Sequence, residues 1–162
     1  MARMTFKAGN DYALKLAKLA QGADNIAKKA LYAAAQPMTD TIRLKLQFLP
    51  RDTFRYLYPS EKFTGVPETQ RKDLLDSLGH TPPAMDKNSD WNIKVGFDGY
   101  GTMPTKKYPK GLPNQMIARS IESGSSVRLK TPFVRPAINA TKKESIRIMG
   151  KVIDDETKNI MK

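Results

Sequence analysis

Gln115-Met116-Ile117-Ala118-Arg119-Ser120-Ile121-Glu122-Ser123-Gly124-Ser125, followed by Thr131-Pro132-Phe133-Val134-Arg135-Pro136-Ala137-Ile138-Asn139-Ala140, is the stretch that decides how this chain folds. Its first half is an apolar helical turn or strand that stops at Gly124. Between the halves, Val127-Arg128-Leu129-Lys130 alternates apolar and basic residues, the pattern of a short strand. Phe133 is then bracketed by Pro132 and Pro136, each of which locks its own φ. Pro136 suits the first turn of a helix. Ile138, Met149, Val152, Ile153 and Ile160 permit that helix to run about 25 residues, roughly 37 Å. Gly150 inside it costs about 1 kcal/mol relative to alanine and marks a place for a bend.

Working outward, Trp91-Asn92-Ile93-Lys94-Val95-Gly96-Phe97 places large apolar residues at every odd position, which predicts one continuous half-buried strand. Asp98-Gly99-Tyr100-Gly101 is a turn signal. Residues 102–113, rich in Pro, Lys and Gly, read as an exposed loop. Glu68 to Leu78 predicts a short helix with Leu74, Leu75 and Leu78 on one face and Gly79 as its stop. Residues 50–68 read as a loop insertion, in which Phe54, Tyr56 and Tyr58 allow a short strand or hairpin arm and Pro59, Gly65 and Pro67 break it up. Residues 1–49 predict a helical arm. Asn10 is its cap and Asp11 suits the helix dipole. Gly22 is a stop, Asp24 caps a second helix, and Pro37 kinks that helix or divides it in two before Pro50. The expected architecture is a single α+β domain over 1–162. Residues 1–49 form the helical arm, 69–135 the sheet region and 136–162 the terminal helix, with the long helices packed on a small antiparallel sheet.

Composition bounds the chemistry. The chain has 28 Lys+Arg against 16 Asp+Glu, a net charge of +12. The excess falls on the helical ends: +6 over residues 1–60, +1 over 61–113 and +5 over 114–162. That balance fits lysines solvating helix faces, and it also fits a polyanion partner. With no cysteine, disulfides, thiolate metal sites and cysteine nucleophiles are all excluded. No run approaches the roughly 18 apolar residues of a membrane span, and the start lacks a signal-peptide core. His80 is the only histidine. It reads as a turn residue, since no serine nearby lies in a nucleophile elbow, although Asp76 and Ser77 are close in sequence. Asp154-Asp155-Glu156 cannot converge on one metal from a helix, and the glycines at 96, 99 and 101 lack the context of a phosphate-binding loop. No enzyme, cofactor or metal site is expected. Nucleic-acid binding is the residue-level alternative, with Tyr100, Tyr108, Lys106 and Lys107 as the best stacking and phosphate candidates.

Glu122-x-Gly124-Ser125 followed by Pro132-Phe133-x-Arg135-Pro136-Ala137 resembles the tail-completion, or head–tail joining, proteins of long-tailed bacteriophages. The likeness extends to Leu74-Leu75-Asp76-Ser77-Leu78 and to the strand at Asn92–Phe97, in the same order along the chain. It departs from the family in the longer insertion at 50–68, and in Gln70-Arg71-Lys72 where many members carry Thr-Gly. The resemblance implies a structural virion protein of the neck or tail end, made in the host bacterial cytoplasm. It implies a ring of copies, six-fold in the usual case, touching connector and tail-tube neighbours and at most brushing double-stranded DNA. On that reading Phe133 anchors the corner, as a core aromatic or as an interface residue, and Pro132 and Pro136 fix it. Arg135 is expected to pair with Glu122. Lys106, Lys107 and Lys110 are expected at a subunit, portal-side or DNA contact.

Overall fold

A computed structural model describes residues 9–162, with side chains from Asp11 onward. The fold is α+β. Helix α1 (Gly9–Gln47) and helix α4 (Val134–Met161) run antiparallel along one another, about 58 Å and 42 Å long. At one end Lys29 Nζ meets Glu156 Oε1 at 2.9 Å, and Ile160 lies 3.5 Å from where a Cβ on Gly22 would sit. At the other end Ile42 and Leu46 share a core with Phe133 and Ala137. The buried faces of both helices are rich in small residues: Ala30, Ala34 and Ala35 on α1, and Ala137, Thr141 and Ser145 on α4. Small side chains let backbones approach closely. The buried hydroxyls of Thr39 and Thr141 are satisfied on their own helices, by Ala35 O at 3.0 Å and Ala137 O at 2.8 Å.

The arm is one helix, not two. Neither Gly22 nor Pro37 ends it, and Asp24 caps nothing. Its carboxylate accepts the Trp91 indole N–H at 2.9 Å instead. Packing against α4 overrides the local breakers here, as tertiary burial commonly overrides propensity. Asn10 falls inside the helix, and its side chain lies outside the described residues.

Among the described residues the β structure is three two-stranded pairs. β1 (Arg51–Asp52) runs parallel to β2 (Val66–Pro67) and closes the base of the 50–68 insertion. β3 (Leu78–His80) is antiparallel to β6 (Val95–Phe97), and β4 (Ala84–Met85) is antiparallel to β5 (Trp91–Asn92). The continuous strand expected over 91–97 is therefore divided at Ile93-Lys94, because its two halves pair with different partners. α2 (Glu68–Ser77) stops before Gly79, since Leu78 to His80 is already extended. His80 thus sits in a strand and not a turn, edge-on to Tyr32 with ring centroids 4.8 Å apart. Phe54, Tyr56 and Tyr58 are not in a strand.

The expected strand at 127–130 is absent and its burial is inverted. Val127 and Leu129 are 52% and 47% exposed, while Arg128 is 6% exposed. The Arg128 guanidinium donates to Gly65 O and Gln70 Oε1, both at 2.7 Å, so the charged residue goes in with its hydrogen bonds made. α3 (Asn114–Ser123) resolves the helix-or-strand ambiguity of the opening stretch in favour of helix. Gly124 ends it at φ 78°, a backbone conformation glycine adopts without penalty. The core gathers α1, α2, α3, β3, β6 and the start of α4, with Phe133 1% exposed and tilted against Phe97 at 6.0 Å between centroids. Among the described residues no helix is long and apolar enough to cross a membrane.

Phe133→Ala is expected to lower unfolding free energy by about 3–5 kcal/mol in denaturant titration. A loss below about 1 kcal/mol would show that the aromatic does not carry this core. Gly150→Ala should act in the opposite sense, since an added Cβ there meets nothing within 4 Å; a gain of up to about 1 kcal/mol is expected.

Candidate functional site

The residues of the Glu-x-Gly and Pro-Phe-x-Arg-Pro-Ala segments meet at the start of α4. A helix leaves its first N–H groups without internal partners. Here the Glu122 carboxylate accepts three of them: Phe133 and Val134 on Oε2, each at 2.8 Å, and Arg135 on Oε1 at 3.0 Å. Pro136 has no N–H to satisfy, and Ala137 N–H already reaches Phe133 O at 3.3 Å. One carboxylate therefore completes the N-terminus of a 28-residue helix from the last turn of α3. Burial of the carboxyl would raise its pKa, but the three N–H groups and the nearby Arg135 charge outweigh that and hold it below its ordinary value of 4.5. The expected Glu122–Arg135 ion pair is not formed. Arg135 contributes its backbone N–H and its positive charge, while its side chain is exposed and makes no ion pair with Glu122. The acceptor positions on Glu122 are occupied by backbone, whose N–H groups are fixed by the helix and need no side-chain ordering.

The C-terminal ends of α1 and α2 are closed by arginines. Buried Arg71 donates to the carbonyls of Leu46, Gln47, Leu49 and Pro50 just where α1 ends. Its Nε lies 3.6 Å from Glu68 Oε2, too far for a hydrogen bond. Arg43 reaches the carbonyls of Leu75 at 3.0 Å and Leu78 at 3.3 Å, where α2 ends. Cations suit this end of a helix dipole. None of these links was legible in the sequence, because each joins residues more than 20 positions apart.

Asp52 organises the base of the insertion. It accepts the backbone N–H of Thr53 at 2.8 Å and Thr64 at 3.0 Å, and it pairs with Arg55. Burial opposes ionisation, yet these backbone and arginine bonds bring the carboxyl down to about 2 from an ordinary 3.8.

Lys106, Lys107 and Lys110 are all exposed on the 102–113 loop. The loop is closed at its base, where Gly101 N–H donates to Leu112 O at 2.8 Å. Gly111 stands at φ 100°, and a Cβ there would fall 1.8 Å from Gly101 O, so only glycine fits. Pro132 is exposed and Pro136 half-buried.

A cleft of about 970 Å³ opens over the β3–β6 pair, between α3 and the first turn of α4. His80, Ser77 and Asp98 all line it, but no side-chain hydrogen bond joins them, and their one link is Asp98 N–H to Ser77 O at 3.1 Å. Ser77 donates to Leu74 O, Asp98 accepts Gly99 N–H, and His80 Nδ1 is buried without a partner. A nucleophile–base relay is not assembled there. Among the described residues no group of three or more His, Asp or Glu side chains could hold a metal ion. Comparison with protein-family models, curated proteins and solved structures finds no match.

The two carboxyls held by backbone N–H groups, Glu122 and Asp52, thus titrate below their ordinary values. Their contribution to stability is present above their ordinary carboxyl values and is lost as pH falls through the lowered ones, about 2 for Asp52. Urea midpoints should fall between pH 6 and pH 3, and the fall should be shallower in Glu122→Gln and Asp52→Asn; equal slopes would remove both carboxyls as the cause. Glu122→Ala should cost about 1–2 kcal/mol at pH 7. Arg71→Met should cost about 2–3 kcal/mol by stranding buried carbonyls.

Proposed function

We propose that this chain is a structural protein of the bacteriophage neck or tail end, one that assembles as a ring and completes the tail where it joins the DNA-filled head. What supports the reading is the role of the residues that carry the resemblance. Glu122, Gly124, Phe133, Pro136 and Ala137 are spent on building one corner: a helix stop, a buried aromatic and a fully capped helix start. A motif of that kind belongs to a protein whose product is a shape. The outer faces agree with contacts to neighbours. Tyr12, Leu14 and Leu16 on α1, and Ile146 and Ile153 on α4, are exposed along the two long helices. Such contacts are needed by any closed ring, which joins different patches of adjacent copies.

Sequence-independent nucleic-acid binding is the second reading. It is favoured by the exposed Lys106, Lys107 and Lys110, with Lys107 Nζ 5.8 Å from the Tyr108 ring centre. Duplex affinity that falls steeply with salt, together with normal particles when the gene is inactivated, would move it to the front.

Electron microscopy of a lysate lacking this gene is the deciding experiment. Filled heads beside separate tails, unjoined or with abnormal ends, are expected; normal infectious virions would reject the neck assignment. Replacing Lys106, Lys107 and Lys110 together by glutamine should leave the thermal midpoint unchanged and reduce virion yield, and an unchanged yield would remove the loop from the joining contact.

A further inference from the structure

Strand β6 has main-chain groups that nothing in the chain uses. Asp98 N–H donates to Ser77 O at 3.1 Å, and Thr81 N–H donates to Lys94 O at 2.8 Å. These bonds and the observed register make Gly79 and Gly96 the bonded pair between them. In an antiparallel ladder the alternate residues turn their N–H and C=O groups away from the partner strand. On β6 those residues are Val95 and Phe97. Among the described residues no donor or acceptor meets their outward groups. Phe97 is 7% exposed, and main-chain groups in so buried a place ordinarily have partners. The matching edge of β3 is partly taken, since Leu78 O accepts from Arg43.

The cleft runs along this strand. Every residue from Lys94 to Asp98 lines it, together with Ala118 and Arg119 of α3 and the first turn of α4. Strand side chains alternate between faces. Val95 and Phe97 lie on the core side, where Ile42 and Val134 also pack. Lys94 and Gly96 lie on the other side. A Cβ on Gly96 would meet nothing within 4 Å. Glycine in a strand interior marks a place where another backbone approaches closely. The rim cations Lys94, Arg119 and Arg135 are exposed, and among the described residues none of them is in an ion pair. The two lining carboxylates are already engaged. Glu122 holds the start of α4, and Asp98 Oδ1 accepts Gly99 N–H at 2.7 Å.

We propose that this cleft binds an extended acidic segment of a partner protein, which adds to the outer edge of β6 as a third strand. The segment's main chain supplies the partners that Val95 and Phe97 lack, the mode by which peptides join exposed sheet edges. Its side chains then divide between two faces. Apolar ones pack beside Val95, Phe97 and Val134. Acidic ones fall beside Lys94 and over Gly96, where no side chain stands in the way. The free cations at the rim set the sign of the partner, and the alternation of the strand sets its pattern. The inference goes beyond the neck reading and stands without it, because it concerns the chemistry of a binding edge and not the particle that carries it.

A fluorescein-labelled heptapeptide of alternating glutamate and valine is the probe, followed by anisotropy with the intact chain. It should bind at least tenfold more tightly than the lysine–valine counterpart. Failure to do so overturns the proposal. Arg119→Glu and Lys94→Glu should each weaken binding about tenfold while leaving the thermal midpoint unchanged. Lys151→Glu removes the same charge from an exposed site about 24 Å along α4 from Arg135, and it should leave the affinity within about twofold. Equal losses at all three positions would show diffuse attraction to a basic chain and overturn the proposal. Two further peptides are N-methylated at every second residue, one at the valines and one at the glutamates. Only one phase of a strand turns its N–H groups toward its neighbour. One N-methylated peptide should therefore bind about tenfold more weakly than the parent and the other like the parent. Equal behaviour of the two overturns strand addition and leaves the rim as a site for any polyanion, nucleic acid included.

Discussion

The start of α4 is held by a single carboxylate, and the rest of the molecule is arranged around that fact. A 28-residue helix beginning inside a protein exposes a set of N–H groups that no turn of its own can satisfy. Glu122 takes those of Phe133, Val134 and Arg135, and Pro136 supplies none. The accounting at this end is complete without a local capping side chain. Because Glu122 lies in the last turn of α3, the bond also fixes where α3 sits relative to α4. With α4 aimed, Phe133 is driven against Phe97, and Ala137, Thr141 and Ser145 are presented to α1.

The same requirement explains the buried arginines. Arg71 and Arg43 would be poor core residues on hydropathy alone. Each instead meets main-chain carbonyls that a helix end leaves open, four for Arg71 and two for Arg43. Arginine suits this work because its planar group carries five donors and stays charged. Arg128 follows the same logic at the insertion, reaching Gly65 O while its guanidinium also faces the Phe63 ring at 5.7 Å. The short strand pairs contribute little ladder of their own, and charged side chains lock the loops that join them.

This distribution bears on function. Most of the ionisable groups that are buried or shifted are committed to helix ends and loop closures, so the polar interior builds shape. What remains on the surface is the exposed apolar residues of the long helices, the lysines of the 102–113 loop, the exposed Tyr56 and Tyr58, and the cleft over the β3–β6 pair. These lie on separate elements, as the proposed neck role requires of a part held by several neighbours.

Much of the architecture was legible from residue pattern. The helices expected over 68–78 and from 136 onward, seen at 68–77 and 134–161, the loop at 102–113 and the stop at Gly124 follow from spacing, proline and glycine, because those signals act within a few residues. The sequence also placed Glu122 and Phe133–Pro136 in one motif. Tertiary structure alone decided how they meet. A carboxylate 11 residues from the nearest N–H it caps carries no local signature, and neither does an arginine that closes a helix 20 or more residues away. Long-range packing also carried the helix past the stop expected at Gly22 and the division allowed at Pro37, where contact along α4 outweighed a missing hydrogen bond. It divided the alternating run at 91–97 between two partners, and it turned Arg128 inward where alternation placed Val127 and Leu129. Periodicity reports which residues share a face. Which face is buried depends on what arrives to cover it, and at these positions the covering groups come from distant parts of the chain.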